Sequence, residues 1–147
     1  MKLGFARRSC PIRLDLNSLQ RALGSLDRGL ARAGASPADE ELRDACIQRF
    51  EFTFELAWKM LKRRLEMDLP NAAEVDAMAY RALIRAGAEQ GLIEDARAWF
   101  VYRDKRNLTL HAYDEAKARE VFAALPAFSR DARLLLERLH ERGKNDA

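Results

Sequence analysis

The segment spanning residues 102–114 carries the densest set of side chains able to do chemistry: two arginines, a lysine, an asparagine, a histidine and two tyrosines. Residues three and four apart share one face of a helix, so Arg103 and Arg106 continue the line that begins at Trp99. A guanidinium on a half-buried stripe requires an acidic partner or an anionic ligand. The spacing therefore predicts arginines that either pair with acids or bind an anion.

The end of this helix decides where the histidine lies. Asn107 is a mediocre helix former, and Asp114 fits the N-cap of a following helix. We therefore expect His111 and Tyr113 at the turn between two helices, close to the guanidinium of Arg106. An unbroken helix would instead place His111 about 140° around the axis from Arg106.

The chemistry open to this set is phosphodiester cleavage without a metal ion. A neutral His111 imidazole can take the proton of a ribose 2′-hydroxyl, and Arg106 can stabilise charge developing on phosphorus. Tyr113 can bind phosphate, orient the imidazole or stack on a base. Taken singly, each residue also fits an ordinary role: a hydrogen-bonded turn histidine, an arginine paired with Glu51 or Glu55, and a packing tyrosine.

Other classes of site lack the residues they need. His111 and His140 have no neighbouring cysteine or paired acid, so no zinc site is expected. A glycine-rich phosphate loop is absent, and the serines have no histidine at a motif spacing. We expect neither a metal nor a cofactor. The net charge of +3, from 26 Lys+Arg against 23 Asp+Glu, neither demands nor excludes nucleic acid.

The chain length of 147 residues fits one domain, predicted as a single helical unit with its core at about residues 15–141 and a frayed tail at residues 143–147. Residues 1–13 are basic but lack the apolar stretch of a signal peptide. No apolar run approaches the ~20 residues that a membrane span needs. Cys10 and Cys46 lie far apart, and Cys46 is expected as a buried free thiol. We expect a cytoplasmic protein with no membrane contact.

Two long helices are predicted in the first half of the chain. Leucines at steps of three and four predict a helix over residues 16–33, with Asp15 as its cap and Gly34 as its stop. Ser36 and Pro37 predict the N-cap and first residue of a second helix that runs to about Met67. Its apolar stripe comprises Cys46, Phe50, Phe54 or Thr53, Ala57, Leu61 and Leu65. The cations near its end are predicted on a solvated face: Lys59, Lys62, Arg63 and Arg64.

Three further helices are predicted in the second half. One begins at residues 71–74 and ends at Gly91, with Leu92 and Ile93 folding back. The next is capped by Asp95, and the last begins after Asp114 and contains Pro126, which we expect to kink or interrupt it. The inward side chains of the first of these are predicted as Val75, Met78, Ala79, Ala82, Leu83 and Ala86. Short connections between long amphipathic helices predict an all-α, antiparallel up-and-down bundle of four to five helices.

The motif Arg106-x4-His111-x-Tyr113 resembles the signature of HEPN ribonucleases, in the R-x4-H-x-Y form typical of the HepT toxins, and the polar Asn107 also fits. Residues 47–59 resemble the long second helix of the nucleotidyltransferase substrate-binding subgroup. Further matches to that subgroup are Gly91-Leu92-Ile93, Asp95, Trp99 and Tyr113-Asp114-Glu115. The likeness runs from about Leu16 to Leu139. Leu110 and Ala112 depart from it, since relatives often carry small hydroxyl residues there.

The resemblance implies a homodimer in which two R-x4-H-x-Y sites face one cleft and cleave RNA, with tRNA a known target class, without a metal. It also implies a partner, a minimal nucleotidyltransferase (MntA-type) antitoxin that transfers AMP from ATP onto Tyr113 and silences the toxin. In that scheme His111 is the base, Arg106 stabilises the phosphate and Asn107 positions it. Arg103 and Lys105 would steer RNA electrostatically.

Two other hypotheses remain. The chain can be a non-catalytic adaptor that binds the nucleotidyltransferase and presents its substrate, with the arginines binding phosphate while no bond is broken. It can also be a plain helical bundle in which the three matching blocks are coincidence.

Overall fold

The computed structural model describes residues 13–146; our expectations for residues 1–12, Cys10 included, and for Ala147 lie outside the described residues. Within the described part the chain is all-helical, as predicted. The helices are α1 (Asn17–Ala35), α2 (Glu40–Asp68), α3 (Ala72–Asp76), α4 (Tyr80–Glu89), α5 (Ala96–Leu108) and α6 (Glu115–Gly143), with a short 3₁₀ turn at Thr109–His111 between α5 and α6.

Four of these helices, α1, α2, α5 and α6, alternate in direction along the chain, which confirms the up-and-down bundle. Arg43 at the start of α2 bonds Glu115 at the start of α6, at 2.6 Å. Asp68 at the end of α2 accepts from Arg142 near the end of α6, at 2.9 Å. The helices α2 and α6 therefore run parallel. The chain reverses through the short connections at residues 36–39 and 109–114, so α1 and α5 run against them.

The helix α4 is an addition to this four-helix core and runs beside α2. It approaches closely at Gly87, where an added Cβ would meet Leu61 at 3.1 Å and Ile93 at 3.0 Å. After α4 the chain turns at Gly91, whose φ is +78°. The amides of Leu92 and Ile93 both donate to the carbonyl of Gly87, at 2.9 and 3.2 Å, so the predicted fold-back is confirmed.

Aromatic rings fill the middle of the core. Phe128 of α6 packs edge-on against Phe50, Trp99 and Tyr102, with ring centroids 4.9, 5.8 and 5.3 Å apart. Burying one large apolar side chain stabilises a fold by ~1.5–3 kcal/mol, so this cluster ties α2, α5 and α6 together. The predicted stripe of α2 is buried throughout: Cys46, Phe50, Thr53, Phe54, Ala57, Leu61 and Leu65.

The start of α2 differs from the prediction. The helix begins at Glu40, and its N-cap is Asp39, whose carboxylate accepts from the amides of Glu41 and Leu42 at 3.0 and 3.1 Å. Ser36 is not the cap. Its carbonyl accepts from the Asp39 amide at 3.0 Å, which closes a turn through Pro37 before the helix starts.

The predicted third helix is two helices. The chain leaves α3 at Ala77, and Ala79 adopts an extended backbone, with φ −70° and ψ 161°, before α4 begins. Ala79 and Ala82 are therefore exposed instead of inward, whereas Val75 and Leu83 are buried. The break has a packing reason: it brings the Tyr80 ring beside Trp58 and lets its hydroxyl donate to the Trp99 carbonyl at 2.9 Å.

Arg64 is buried, contrary to its predicted place on a solvated face. Its guanidinium donates to Asp68, at 2.6 Å, and to both carboxylate oxygens of Asp146, at 2.7 and 2.8 Å. Asp146 thus ties the end of the described chain to α2, while Lys144 and Asn145 between it and the helix are exposed. These hydrogen bonds raise the pKa of Arg64, and the guanidinium lowers the pKa of Asp146.

Pro126 lies inside α6 without interrupting it, since the helix is continuous from Glu115 to Gly143. The side chain of Pro126 is exposed, so its ring displaces nothing in the core, and the missing amide removes one intrahelical hydrogen bond. None of the helices formed by residues 13–146 combines the length and apolarity needed to cross a membrane.

Candidate active site at the end of helix α5

Local signals position the site at the turn that follows α5. Asp95 caps the helix start by accepting from the Arg97 amide at 3.0 Å, and α5 ends at Leu108. The Asp114 amide then donates to the His111 carbonyl at 2.9 Å, while its side chain caps α6. His111 and Tyr113 lie at the turn between helices, which confirms that part of the prediction.

His111 and Tyr113 form an exposed pair at this turn. His111 Nδ1 lies 3.4 Å from the Tyr113 hydroxyl, and the two rings meet at 67° with centroids 6.0 Å apart. Tyr113 is 86 % exposed, and the neighbouring Leu110 is 72 % exposed. An imidazole and a phenol are therefore adjacent and open to a large substrate approaching from solvent.

Arg106 is half-buried against two acids of α2. Its Nη1 lies 3.8 Å from Glu51 Oε2, and its Nε lies 3.6 Å from Glu55 Oε2. These distances are ion-pair contacts too long for hydrogen bonds. The Nε is buried and has no hydrogen-bond partner among residues 13–146. Within that same part of the chain Arg106 has no polar contact with His111, so the structure holds the arginine on α2 and leaves donors open.

Thr109 is a positioning residue that sequence reasoning missed. Its side chain is buried, and its hydroxyl lies 3.0 Å from Glu51 Oε2 and 2.6 Å from the Arg106 carbonyl. The hydroxyl therefore links the last turn of α5 to the acid that faces Arg106. A threonine three residues after an arginine at a helix end is a weak signal for such a back-bond.

The remaining predicted residues lie on different faces of α5. Arg103 is exposed, and its guanidinium lies 4.9 Å from the ring centre of Tyr80. Asn107 is exposed and lines a cavity together with Arg103 and Arg106. Lys105 points instead towards α6, where it pairs with Glu120 at 2.7 Å. The structure thus groups Arg103, Arg106 and Asn107 and sets Lys105 apart.

The cavity beside these residues lies between α2, α4 and α5 and has a volume of about 370 Å³. Burial raises the pKa of the Tyr80 phenol at its edge, although the Arg103 charge opposes that rise. Sequence reasoning missed this cavity because the break before Tyr80 was not predicted. Its lining comprises Phe54, Glu55, Trp58, Lys62, Met78, Tyr80, Leu83, Arg103, Arg106 and Asn107.

Residues 13–146 contain no cluster of three or more His, Cys, Asp or Glu side chains that could hold a metal ion.

Proteins of a known family are similar to this chain in sequence. The family described as "Nucleotidyltransferase substrate binding protein like" matches residues 14–141. A Haemophilus influenzae protein named "Probable ribonuclease HepT" is 35 % identical over 142 residues, covering 91 % of this chain and 97 % of that protein.

Two solved structures are similar to this chain in both fold and sequence. One, from Haemophilus influenzae, is described as revealing the fold of a substrate binding domain of a nucleotidyltransferase; it has a TM-score of 0.82 at 35 % identity and covers 86 % of this chain and 99 % of its own. A crystal structure from Thermus thermophilus has a TM-score of 0.68 at 34 % identity, covering 82 % and 98 %. The chain belongs to the nucleotidyltransferase substrate-binding protein family, in its HepT-like group, as the resemblance implied.

Proposed function

We propose that this protein is a metal-independent endoribonuclease of the HepT type, acting on RNA of the tRNA class. The observation that carries the proposal is the exposed His111–Tyr113 pair at the turn that directly follows the half-buried Arg106. The name of the Haemophilus influenzae relative, "Probable ribonuclease HepT", supports it.

In this mechanism His111 takes the proton of a ribose 2′-hydroxyl, and the 2′-oxygen forms a bond to the adjacent phosphorus. The bond from phosphorus to the 5′-oxygen breaks, and an imidazolium returns a proton to that leaving oxygen. Arg106 stabilises the charge on the phosphoryl oxygens, and Asn107 positions the phosphate. Arg103 and Lys105 attract the RNA backbone, although Glu120 offsets much of the Lys105 charge.

The test is incubation of the purified protein with total tRNA in EDTA, read on a denaturing gel. We expect wild type to give discrete fragments and His111→Ala to slow cleavage by about a hundredfold or more, the usual loss when a general base is removed. His140→Ala is the matched control, because His140 is an exposed histidine of α6 outside the site, and it should cleave like wild type. Unchanged cleavage by His111→Ala would refute the mechanism.

The proposal extends to a toxin–antitoxin pair with a minimal nucleotidyltransferase of the MntA type. The Tyr113 phenol oxygen would attack the α-phosphorus of ATP, forming a phosphodiester to AMP and releasing pyrophosphate. The exposure of Tyr113 supports its access to such an enzyme. A bulky anion on that hydroxyl, 3.4 Å from His111 Nδ1, would block the base. A homodimer, with the exposed Leu110 at or near the contact, completes the proposed assembly.

A second candidate is a non-catalytic adaptor of the nucleotidyltransferase. Glu51 and Glu55 both face the Arg106 guanidinium, so their charges oppose the binding of a phosphate there. The description of the solved relative as a substrate binding domain also favours it. Expression in a bacterial host without the partner gene separates the two: growth arrest relieved by His111→Ala indicates the ribonuclease, and harmless expression indicates the adaptor.

A further inference from the structure

The cavity between α2, α4 and α5 contains an aromatic wall that the cleavage chemistry does not use. Trp58 is half-buried at this cavity and meets the Tyr80 ring edge-on, at 86° and 6.2 Å between centroids. The Tyr80 ring is itself fixed by its hydrogen bond to the Trp99 carbonyl. Trp58 is thus held in place by a neighbour on another helix.

A cation is held at the edge of the same cavity. The Arg103 guanidinium lies 4.9 Å from the ring centre of Tyr80, an attraction worth ~0.5–1 kcal/mol at an exposed site. Within residues 13–146 Glu51 and Glu55 form their ion pairs with Arg106 and Lys59, whereas Arg103 is exposed. Its charge is therefore oriented by an aromatic face and available to an anion.

The charges of the lining favour an anionic ligand. Lys62, Arg103 and Arg106 supply three cations, and Glu55 supplies the one acid of the lining. Lys62 is paired with Asp76 at 2.9 Å, which leaves the arginines as the main attraction. The Arg106 guanidinium is half-buried and makes ion-pair contacts of 3.8 and 3.6 Å with Glu51 and Glu55, and its exposed part faces this cavity.

We infer that this cavity is a nucleotide-binding subsite, in which a base stacks on Trp58 and its phosphate binds Arg103. An aromatic ring beside a cationic group is the combination that binds single-stranded nucleic acid. Every base has a flat face that can stack on the ring, and every phosphodiester carries a negative charge. The volume of about 370 Å³ lies within the ~300–1,000 Å³ typical of ligand sites.

The subsite adjoins Arg106, so it would hold the nucleotide next to the phosphate that is cleaved. That link to RNA rests on the proposed function, whereas nucleotide binding does not. A free nucleotide and a nucleotide within an RNA chain present the same base and phosphate. The test therefore includes both.

The experiment is calorimetric titration of the full chain with AMP, ribose 5-phosphate, inorganic phosphate and an RNA trinucleotide, in the His111→Ala variant to prevent cleavage. We expect saturable AMP binding, with ribose 5-phosphate and phosphate binding about tenfold or more weakly. Trp58→Ala should weaken AMP binding by roughly five- to a hundredfold, the range found for stacking aromatics. Trp58→Phe, which keeps a ring, should recover most of the affinity.

Arg103→Ala should weaken binding of AMP and the trinucleotide by about tenfold. Its matched control is Arg97→Ala, an exposed arginine of the same helix that does not line the cavity, and it should bind like wild type. If Trp58→Ala does not fold, as judged by circular dichroism, Arg103→Ala and Trp58→Phe carry the test.

Absence of saturable AMP binding, or equal affinity for phosphate and AMP, overturns the subsite. Unchanged affinity in both Trp58→Ala and Arg103→Ala does so too. Tighter binding of the trinucleotide than of AMP supports an RNA ligand, whereas the reverse order keeps the nucleotide site and overturns its link to RNA. This experiment measures binding and not cleavage. A failure of the subsite can therefore be told apart from a failure of the ribonuclease mechanism.

Discussion

The three tyrosines of the chain differ in what surrounds their hydroxyl groups. The Tyr80 hydroxyl donates to the Trp99 carbonyl at 2.9 Å, and Tyr102 is buried with its hydroxyl bonded to Asp131. Burial raises the pKa of both phenols. Tyr113 is 86 % exposed, and its hydroxyl lies 3.4 Å from His111 Nδ1. At the scale of single residues, Tyr113 is therefore the tyrosine open to modification.

We expect Tyr113→Phe to abolish transfer of AMP by a co-expressed minimal nucleotidyltransferase, because phenylalanine lacks the oxygen that would attack ATP. Intact-protein mass spectrometry measures the transfer. The variant should still cleave tRNA if His111 is the base, and it should resist silencing by the partner. AMP found on Tyr113→Phe would show that another residue is the acceptor.

At the scale of the helices, aspartate side chains at the N-termini determine where three of the helices begin. Asp39, Asp95 and Asp114 each accept a backbone amide at the first turn of α2, α5 and α6. Two of these caps were predicted from sequence, and the third was assigned to Ser36. The serine was favoured because a proline follows it, but the chain uses Pro37 in a turn and starts the helix after the acid.

Asp39→Ala should lower the free energy of unfolding by ~1 kcal/mol, since an N-cap side chain typically contributes that much. Ser36→Ala is the matched control and should change the free energy of unfolding by about a few tenths of a kcal/mol at most. The backbone carbonyl of Ser36, which the substitution keeps, accepts the hydrogen bond from the Asp39 amide. Urea unfolding followed by circular dichroism compares the two. A larger effect at Ser36 than at Asp39 would reverse the assignment.

At the scale of the whole molecule, Arg64 joins the ends of α2 and α6. It donates to Asp68 and Asp146, and Arg142 donates to Asp68 as well. Burial raises the pKa of Asp68, but hydrogen bonds from Arg64 and Arg142 outweigh that effect and the net pKa is lowered. The Arg64 hydrogen bond likewise lowers the pKa of Asp146. Both carboxylates stabilise the fold in their charged form.

These lowered pKa values give a pH dependence of stability. The contribution is complete above the unfolded-state pKa of ~3.9 and is lost as pH falls through the lower folded-state pKa. Asp146→Asn should therefore be less stable than wild type at pH 7, and the difference should shrink as the pH falls below about 4.

Urea unfolding at neutral and acidic pH measures this dependence. The control is Asp104→Asn, an exposed acid without an ion pair among residues 13–146, which should lower the free energy of unfolding at pH 7 less than Asp146→Asn does. A difference between Asp146→Asn and wild type that grows on acidification would contradict the assignment.

Much of the fold follows from signals within a few residues of sequence. These signals extend over one or two helical turns each. They are the spacing of the leucines in α1, the apolar stripe of α2, the caps at Asp95 and Asp114, and the fold-back after Gly91. The position of His111 and Tyr113 belongs to this group, since the end of α5 and the start of α6 are both locally encoded. The family was also inferred from the sequence, through the Arg106-x4-His111-x-Tyr113 motif and the matching blocks around it.

Only the tertiary structure decided which distant groups meet. Arg64 is buried because Asp146, far along the chain, reaches it from the end of α6. Arg106 faces Glu51 and Glu55 because α5 packs against α2. The cavity beside Trp58 depends on a backbone break at Ala79 that packing of Tyr80 stabilises. Helical periodicity gives the face of each residue, but the angle and register between helices come from how all the side chains of the core pack together.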